Sequence, residues 1–305
     1  MTAATFTTTD PLHGPPNARA LAVDRRRERI LLFGLGAPAL LLTLLIIFVP
    51  VGWLSWLSLF DDAGALGWDN YARLVQQPSY IKTFKTTFQV SFVVTIVCVV
   101  LGYPLAYMMS QMPRRAAGIC MIFVILPFWT SVLVRTYAWL VILQRNGLVN
   151  DWLTGLGLIA EPLQLVHSFL GVVIGMSHVL LPFLVLPLYA SMRSIDRDLL
   201  RAAMNLGAGP MGAFWQVFFP LSLPGLAAGV VLIFVLCLGF FVTPALMGGG
   251  RVIMWAMRME STVSLYANWG AASALGVVLL VVTLACLWIF SRLFGAENLV
   301  ARGLR

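Results

Sequence analysis

Charge is what this chain has least of. Of its 305 residues only 10% are charged, against about 25% in an ordinary soluble domain. So few polar groups cannot cover a water-facing surface, which excludes a soluble fold although the length would suit two soluble domains. Histidine occurs three times and lysine twice. The four cysteines, Cys98, Cys120, Cys237 and Cys286, lie inside or at the edge of apolar runs. None forms a metal-spaced pair or sits in a loop where an oxidising compartment would bridge it, so they read as small core residues and no metal site is expected. Also missing is a Gly-x4-Gly-Lys-Ser/Thr loop to cradle nucleotide phosphates. This chain is therefore expected to be no enzyme and to bind no cofactor of its own.

What is present is apolar. Hydrophobic residues make up 60% of the chain and the mean hydropathy is +0.91. A membrane-spanning helix needs about 20 mostly apolar residues, and six segments qualify: 31–59, 86–110, 117–143, 169–191, 222–247 and 271–294. The first run is far longer than the apolar core of a secretory signal, so it is expected to remain as a span. Residues 1–29, rich in Thr, Pro and Ala and ending in Arg25, Arg26, Arg27 and Arg29, are expected to form a disordered cytoplasmic tail. Residues 30–295 form the membrane domain and 296–305 a second cytoplasmic tail. With both termini inside, 13 of the 20 basic residues fall on the cytoplasmic side, as the positive-inside rule requires. The net charge of +8 therefore speaks for membrane orientation, not for nucleic acid. Pro104, Pro127, Pro182, Pro187 and Pro244 lie inside spans, where each removes a backbone donor.

The most informative stretch is the loop 192–221. Ser194 or Asp196 can cap a short helix on which Leu199, Ala203 and Leu206 form one stripe. Gly207 stops it, and Pro210 opens a second helix with Phe214, Val217 and Phe218 on one face, ended by Pro220 and Pro224. Small Ala202 and Ala203 let another backbone approach closely. Two readings of this shape stay open: a docking element, or a helix resting on the inner leaflet.

Arg201-Ala202-Ala203, three residues, Gly207, nine residues and Val217-Phe218-Phe219-Pro220 resemble the EAA loop of bacterial ABC-importer permeases, whose pattern is Glu-Ala-Ala, three residues, Gly, nine residues, Ile-x-Leu-Pro. Arg201 replaces the Glu, reversing a charge; Val217 and Phe219 replace Ile and Leu conservatively. Pro127 to Trp139, Gln144 to Asn150 and Val242 to Gly250 resemble the spermidine/putrescine type, B-type permease. The resemblance implies an all-α, six-span, type I ABC-importer permease in the bacterial inner membrane, taking up polyamines. It further implies a second, homologous permease subunit, two ATP-binding subunits that bind ATP and Mg, and a periplasmic substrate-binding protein. Arg201, Ala202, Ala203, Leu206, Gly207 and Pro220 would carry the contact with the ATPase.

For a polyamine, carboxylates and aromatic faces make a good path. Trp129, Tyr137, Trp255 and Glu260 are the candidates, with Trp139 beside them; an ion pair of Glu260 with Arg258 or Arg251, and aromatic packing or an interfacial belt, are the plainer alternatives. Arg135 is a charge within a span, and a fixed cation would repel a polyamine, so it is expected to pair with a neighbouring helix or to reach the outer surface. In a pore it would suit an anionic or zwitterionic solute, such as an amino-acid derivative or an opine. His167 and His178 read as packed or hydrogen-bonded residues. An ion-coupled secondary transporter would need midplane carboxylates, which the spans all but lack. A membrane enzyme would need partners for Asp61, Asp62 and Asp69, and no His, Lys or nucleophile stands beside them.

Overall fold

The computed structural model describes residues 18–61 and 64–294. Its contacts divide the chain into two units, one ending at Trp56 and one beginning at Leu57. In the first, α1 (Ala18–Leu57) is a single 40-residue helix whose stretch Gly36–Leu57 is apolar enough to cross a membrane. It begins 12 residues before the expected membrane domain. Ala, Leu, Arg and Glu, all good helix formers, dominate this lead-in and let the helix extend where a disordered tail was expected. The rest of that tail, and residues 296–305, lie outside the described residues.

The second unit opens with a small lock. Asn70, on α2 (Asp69–Gln76), donates from Nδ2 to the carbonyls of Ser58 (3.0 Å) and Phe60 (2.7 Å), holding the chain that leaves α1. α3 (Pro78–Gln111) follows with proline at its first position, where no helical donor is needed. Its buried face is polar in part: Thr87, Ser91 and Thr95 each return their hydroxyl to the carbonyl four residues earlier. In an apolar interior this satisfies the donor without a second helix.

The third expected span is not straight. α4 (Arg114–Trp129) and α5 (Val132–Ile142) meet at a break and are bent by 96°. Pro127 withholds a donor one turn before the break, and Thr130 folds back so that its backbone N–H and its Oγ1 both bond the Pro127 carbonyl, at 3.2 and 2.8 Å. After α6 (Leu148–Gly155), Asn150 closes the loop 144–168: its Nδ2 donates to the carbonyls of Gln144 (2.9 Å) and Leu163 (3.0 Å), and its Oδ1 accepts from Leu163 N–H at 2.9 Å.

α7 (Phe169–Ser194) is the most buried of the long helices and packs between α3 and α10 (Phe219–Leu238). Contact with α10 is made through glycine. A Cβ on Gly229 would stand 3.2 Å from Leu184 Cα, and one on Gly225 would overlap Ser191, so nothing larger fits. Val90, Val94, Cys98, Met176, Leu180, Leu184 and Ile233 fill the space among the three helices. Between α7 and α10 run α8 (Arg197–Asn205), α9 (Pro210–Ala213) and a wide π-type turn over Phe214–Phe218. Pro220 and Pro224 do not end this helix. The wide turn absorbs the donor missing at Pro220, and the chain runs on unbroken to Leu238. The fifth span then breaks at Gly239, and α11 (Val242–Met247) packs on α5 and α7. α12 (Trp255–Ser264) and α13 (Trp269–Phe294) complete the chain.

The described residues are thus an all-α, polytopic membrane protein: five apolar helices long enough to cross a bilayer, and a sixth crossing if the bent pair counts as one.

Candidate functional site

Asp196 starts α8 as its cap, accepting the N–H of Asp198 at 2.9 Å. Asp198 in turn accepts from Arg201 Nη1 at 2.9 Å, an exposed pair within one helical turn. The helix ends in a Schellman motif. Gly207 N–H donates to Met204 O and Ala208 N–H to Ala203 O, both at 3.0 Å, with Gly207 at φ +93°. Ala202 is exposed and Ala203 half-buried, while Leu206 is 89%, Met211 70% and Trp215 56% exposed.

The loop is thus apolar on the outside and anchored on the inside. Phe218, 2% exposed, packs with Ala106, Met109, Val185, Leu188 and Met192. Tyr107 of α3 meets Phe214 and Phe218 edge-on, with ring centroids 5.2 and 5.0 Å away. Tyr103 OH and Ser222 Oγ share a hydrogen bond of 2.9 Å at the start of α10. Five of the six residues expected to meet an ATPase, Arg201 to Gly207, therefore lie together on the second half of α8 and its C-terminal cap. Pro220 lies apart from them, early in α10.

Sequence reasoning missed the anchoring role of two arginines within this loop. Arg193 Nη1 donates to the carbonyls of Ser110 (2.9 Å) and Met112 (3.1 Å), and Arg197 Nη2 reaches Ser110 O at 3.4 Å. A cavity of about 640 Å³ lies against them, lined also by Asp196, Leu200 and Phe218. The only signal in the sequence is Arg193 itself, an arginine in the last turn of a span, where the positive-inside rule already accounts for it.

The four candidate path residues do not share a wall. Trp129 is 84% and Tyr137 56% exposed, on the two halves of the bent pair. Trp255 is 3% exposed; its Nε1 donates to Leu275 O and its backbone N–H to Thr87 Oγ1, so the indole is committed to packing and offers no face to a solute. Glu260 is exposed and accepts from Ser264 Oγ at 2.7 Å. It pairs with neither arginine proposed for it. Arg258 lies over the Tyr80 ring, 5.0 Å from its centroid, and Arg251 donates to Gln164 Oε1 at 3.3 Å. Arg258 and Tyr80 instead line a cavity of about 670 Å³ with Arg73, Tyr266 and Trp269.

Of the two roles expected for Arg135, pairing with a neighbouring helix is not seen. Its Nε and Nη1 are buried without a hydrogen bond among the described residues. Close by, Trp139 Nε1 donates to His178 Nδ1 at 3.1 Å, and the hydroxyls of Thr136 and Thr243 meet at 3.2 Å, joining α5 to α11.

Residues 99–296 match the model of a family described as binding-protein-dependent transport system inner membrane component. The chain is 34% identical over 232 residues to the spermidine/putrescine transport system permease protein PotB of Salmonella typhimurium SL1344, covering 75% of this chain and 80% of that one. It is 33% identical over 185 residues to PotB of Haemophilus influenzae, where the match spans 61% of this chain and 65% of the relative. Among solved structures, a chain in the crystal structure of a bacterial alginate ABC transporter, in complex with its alginate pentasaccharide-bound periplasmic protein, superposes with a TM-score of 0.75. The identity there is 18%, covering 89% of this chain and 98% of that chain.

Proposed function

Since this chain belongs to the family of binding-protein-dependent transport system inner membrane components, we propose that it takes up polyamines, putrescine or spermidine, as one permease subunit of an ABC importer. It works with a second homologous permease and with two ATP-binding subunits that hold ATP and Mg and hydrolyse the nucleotide. A periplasmic binding protein delivers the solute. Both termini lie in the cytoplasm, the bent pair counting as one crossing.

The observation that carries this reading is the loop from Asp196 to Phe218. A helix with no buried residue projects from the bundle, followed by exposed Leu206, Met211 and Trp215. Such exposed large apolar groups mark a surface covered by another protein or by the membrane, and the motif they belong to favours the protein. Arg201, Ala202, Ala203, Leu206 and Gly207 make that contact with the ATPase, and Pro220 sets the entry of α10. Arg201 in place of an acid calls for an acidic or neutral group opposite it on the ATPase. The polyamine assignment rests on the PotB relatives, with Trp129, Tyr137 and Glu260 as the groups offered to a cationic chain.

One observation favours a second solute class. The Arg135 guanidinium, unpaired in a span, would suit a carboxylate or another anionic group of an amino-acid derivative or opine. The test is ATPase activity of the reconstituted complex with its binding protein, titrated with putrescine and spermidine. Stimulation by either supports the polyamine reading. Stimulation only by an anionic or zwitterionic solute transfers the assignment to the Arg135 class.

A further inference from the structure

The last carbonyls of a helix have no partner within it. At the end of α3 this need is acute, because the next helix starts after only two residues, Met112 and Pro113, and Pro113 has no N–H to give. Arg193 meets the need from another helix. It sits in the last turn of α7 and donates from one nitrogen to both Ser110 O and Met112 O. A cation at this point also complements the negative end of the α3 dipole.

Two residues, Ile195 and Asp196, separate α7 from α8, so neither connection has slack. Arg197, the first residue of α8, adds its own longer bond to Ser110 O. Tension applied to α8 is thereby delivered to the α3–α4 turn through charged hydrogen bonds, which are stronger than neutral ones. The cavity of about 640 Å³ between the turn and the start of α8 leaves these charged bonds as the direct polar link between the two. Beyond the turn, α4 leads to the 96° break.

We propose that Arg193, supported by Arg197, is the positioning residue that ties the displacement of α8 to α4 and so to the bent pair. This rests on the coupling-loop reading above. Arg193 touches neither solute nor nucleotide; it makes the two short turns move as one body.

The test uses the full complex in vesicles with its binding protein, measuring ATP hydrolysis and putrescine uptake together. In Arg193→Ala, hydrolysis should stay within about twofold of wild type. Uptake per ATP should fall about tenfold or more, the scale of losing hydrogen bonds from a charged donor. Arg193→Lys, which keeps a cation and a donor, should recover part of it. A purely structural role would lower hydrolysis and uptake together at a constant ratio, and that result, or an unchanged ratio, overturns the proposal.

A second measurement is independent of the solute: the distance between spin labels at exposed Arg115 and Asn205, with and without ATP and vanadate. It should hold steady in the wild type and change in Arg193→Ala; equal behaviour in both overturns the latch. A wild-type complex that hydrolyses ATP but accumulates neither polyamine removes only the solute assignment, and the label distance still decides the latch. A subunit that joins no ATPase removes the coupling reading and the latch with it.

Discussion

Trp139 and His178 are joined by one hydrogen bond, from the indole Nε1 to the imidazole Nδ1, at 3.1 Å. The bond fixes His178 as an acceptor at Nδ1 and pins α5, the half-span beyond the break, to α7. Among the described residues no other hydrogen bond to His178 is seen, so Trp139→Phe should free the ring while keeping most of the apolar contact. The expected cost is about 1 kcal/mol, the net worth of one neutral hydrogen bond, read as a lower melting temperature in detergent. His178→Phe should cost a similar amount, and the double variant less than the sum.

Gly207 stands at φ +93° with nothing within 4 Å of where a Cβ would be. Space is therefore not the constraint; backbone conformation is. Gly207→Val should strain the turn by about 1–2 kcal/mol and shift Leu206 and Ala208. We expect normal insertion, measured by membrane fractionation, with transport abolished. Normal uptake in a well-inserted variant would count against docking through this loop.

The exposed pair of Arg201 and Asp198 contributes little to the subunit itself, about 0–1 kcal/mol. Arg201→Ala should leave the melting temperature of the isolated subunit nearly unchanged. Weaker recovery of the ATPase in co-purification would then report a contact made by Arg201 across the interface.

Trp255 gives the opposite pattern. Truncation to Ala would empty a buried site and leave the Leu275 carbonyl with its helical bond alone, at a cost of about 3–5 kcal/mol. The level of inserted protein should fall steeply, while the solute preference of what remains should not change.

Reporter fusions at the two ends test the crossing count. If α4 and α5 together make one crossing, both ends report the same side. If the pair returns to the side it entered from, the ends report opposite sides.

Long apolar runs announced the spans, because a bilayer demands about 20 such residues whatever the fold. The loop motif was legible for a related reason: Asp196, Gly207 and Pro210 act locally, through capping, positive φ and a fixed φ. What stayed hidden depends on residues far apart in sequence. The commitment of Trp255 is set by Leu275 and Thr87, and the role of Arg193 by Ser110 and Met112. Pro220 misled because a proline normally stops a helix, and the wide turn before it removes the clash. Pro127 gave only a kink; the full break at Thr130 and Ser131 comes from the turn in which the Thr130 backbone N–H and Oγ1 both bond the Pro127 carbonyl.

The break also sets a limit of reach. At 1.5 Å per residue, the 16 residues of α4 extend about 24 Å and the 11 of α5 about 16 Å. The hydrocarbon layer is about 30 Å thick, so neither rod alone matches it. Lipid chains pressed against the joint would face peptide groups that no ordinary helix exposes, and a bilayer does not tolerate that surface bare. Where Thr130 and Ser131 stand at hydrocarbon depth, the seal against leakage must be made by protein on the flanking side rather than by lipid.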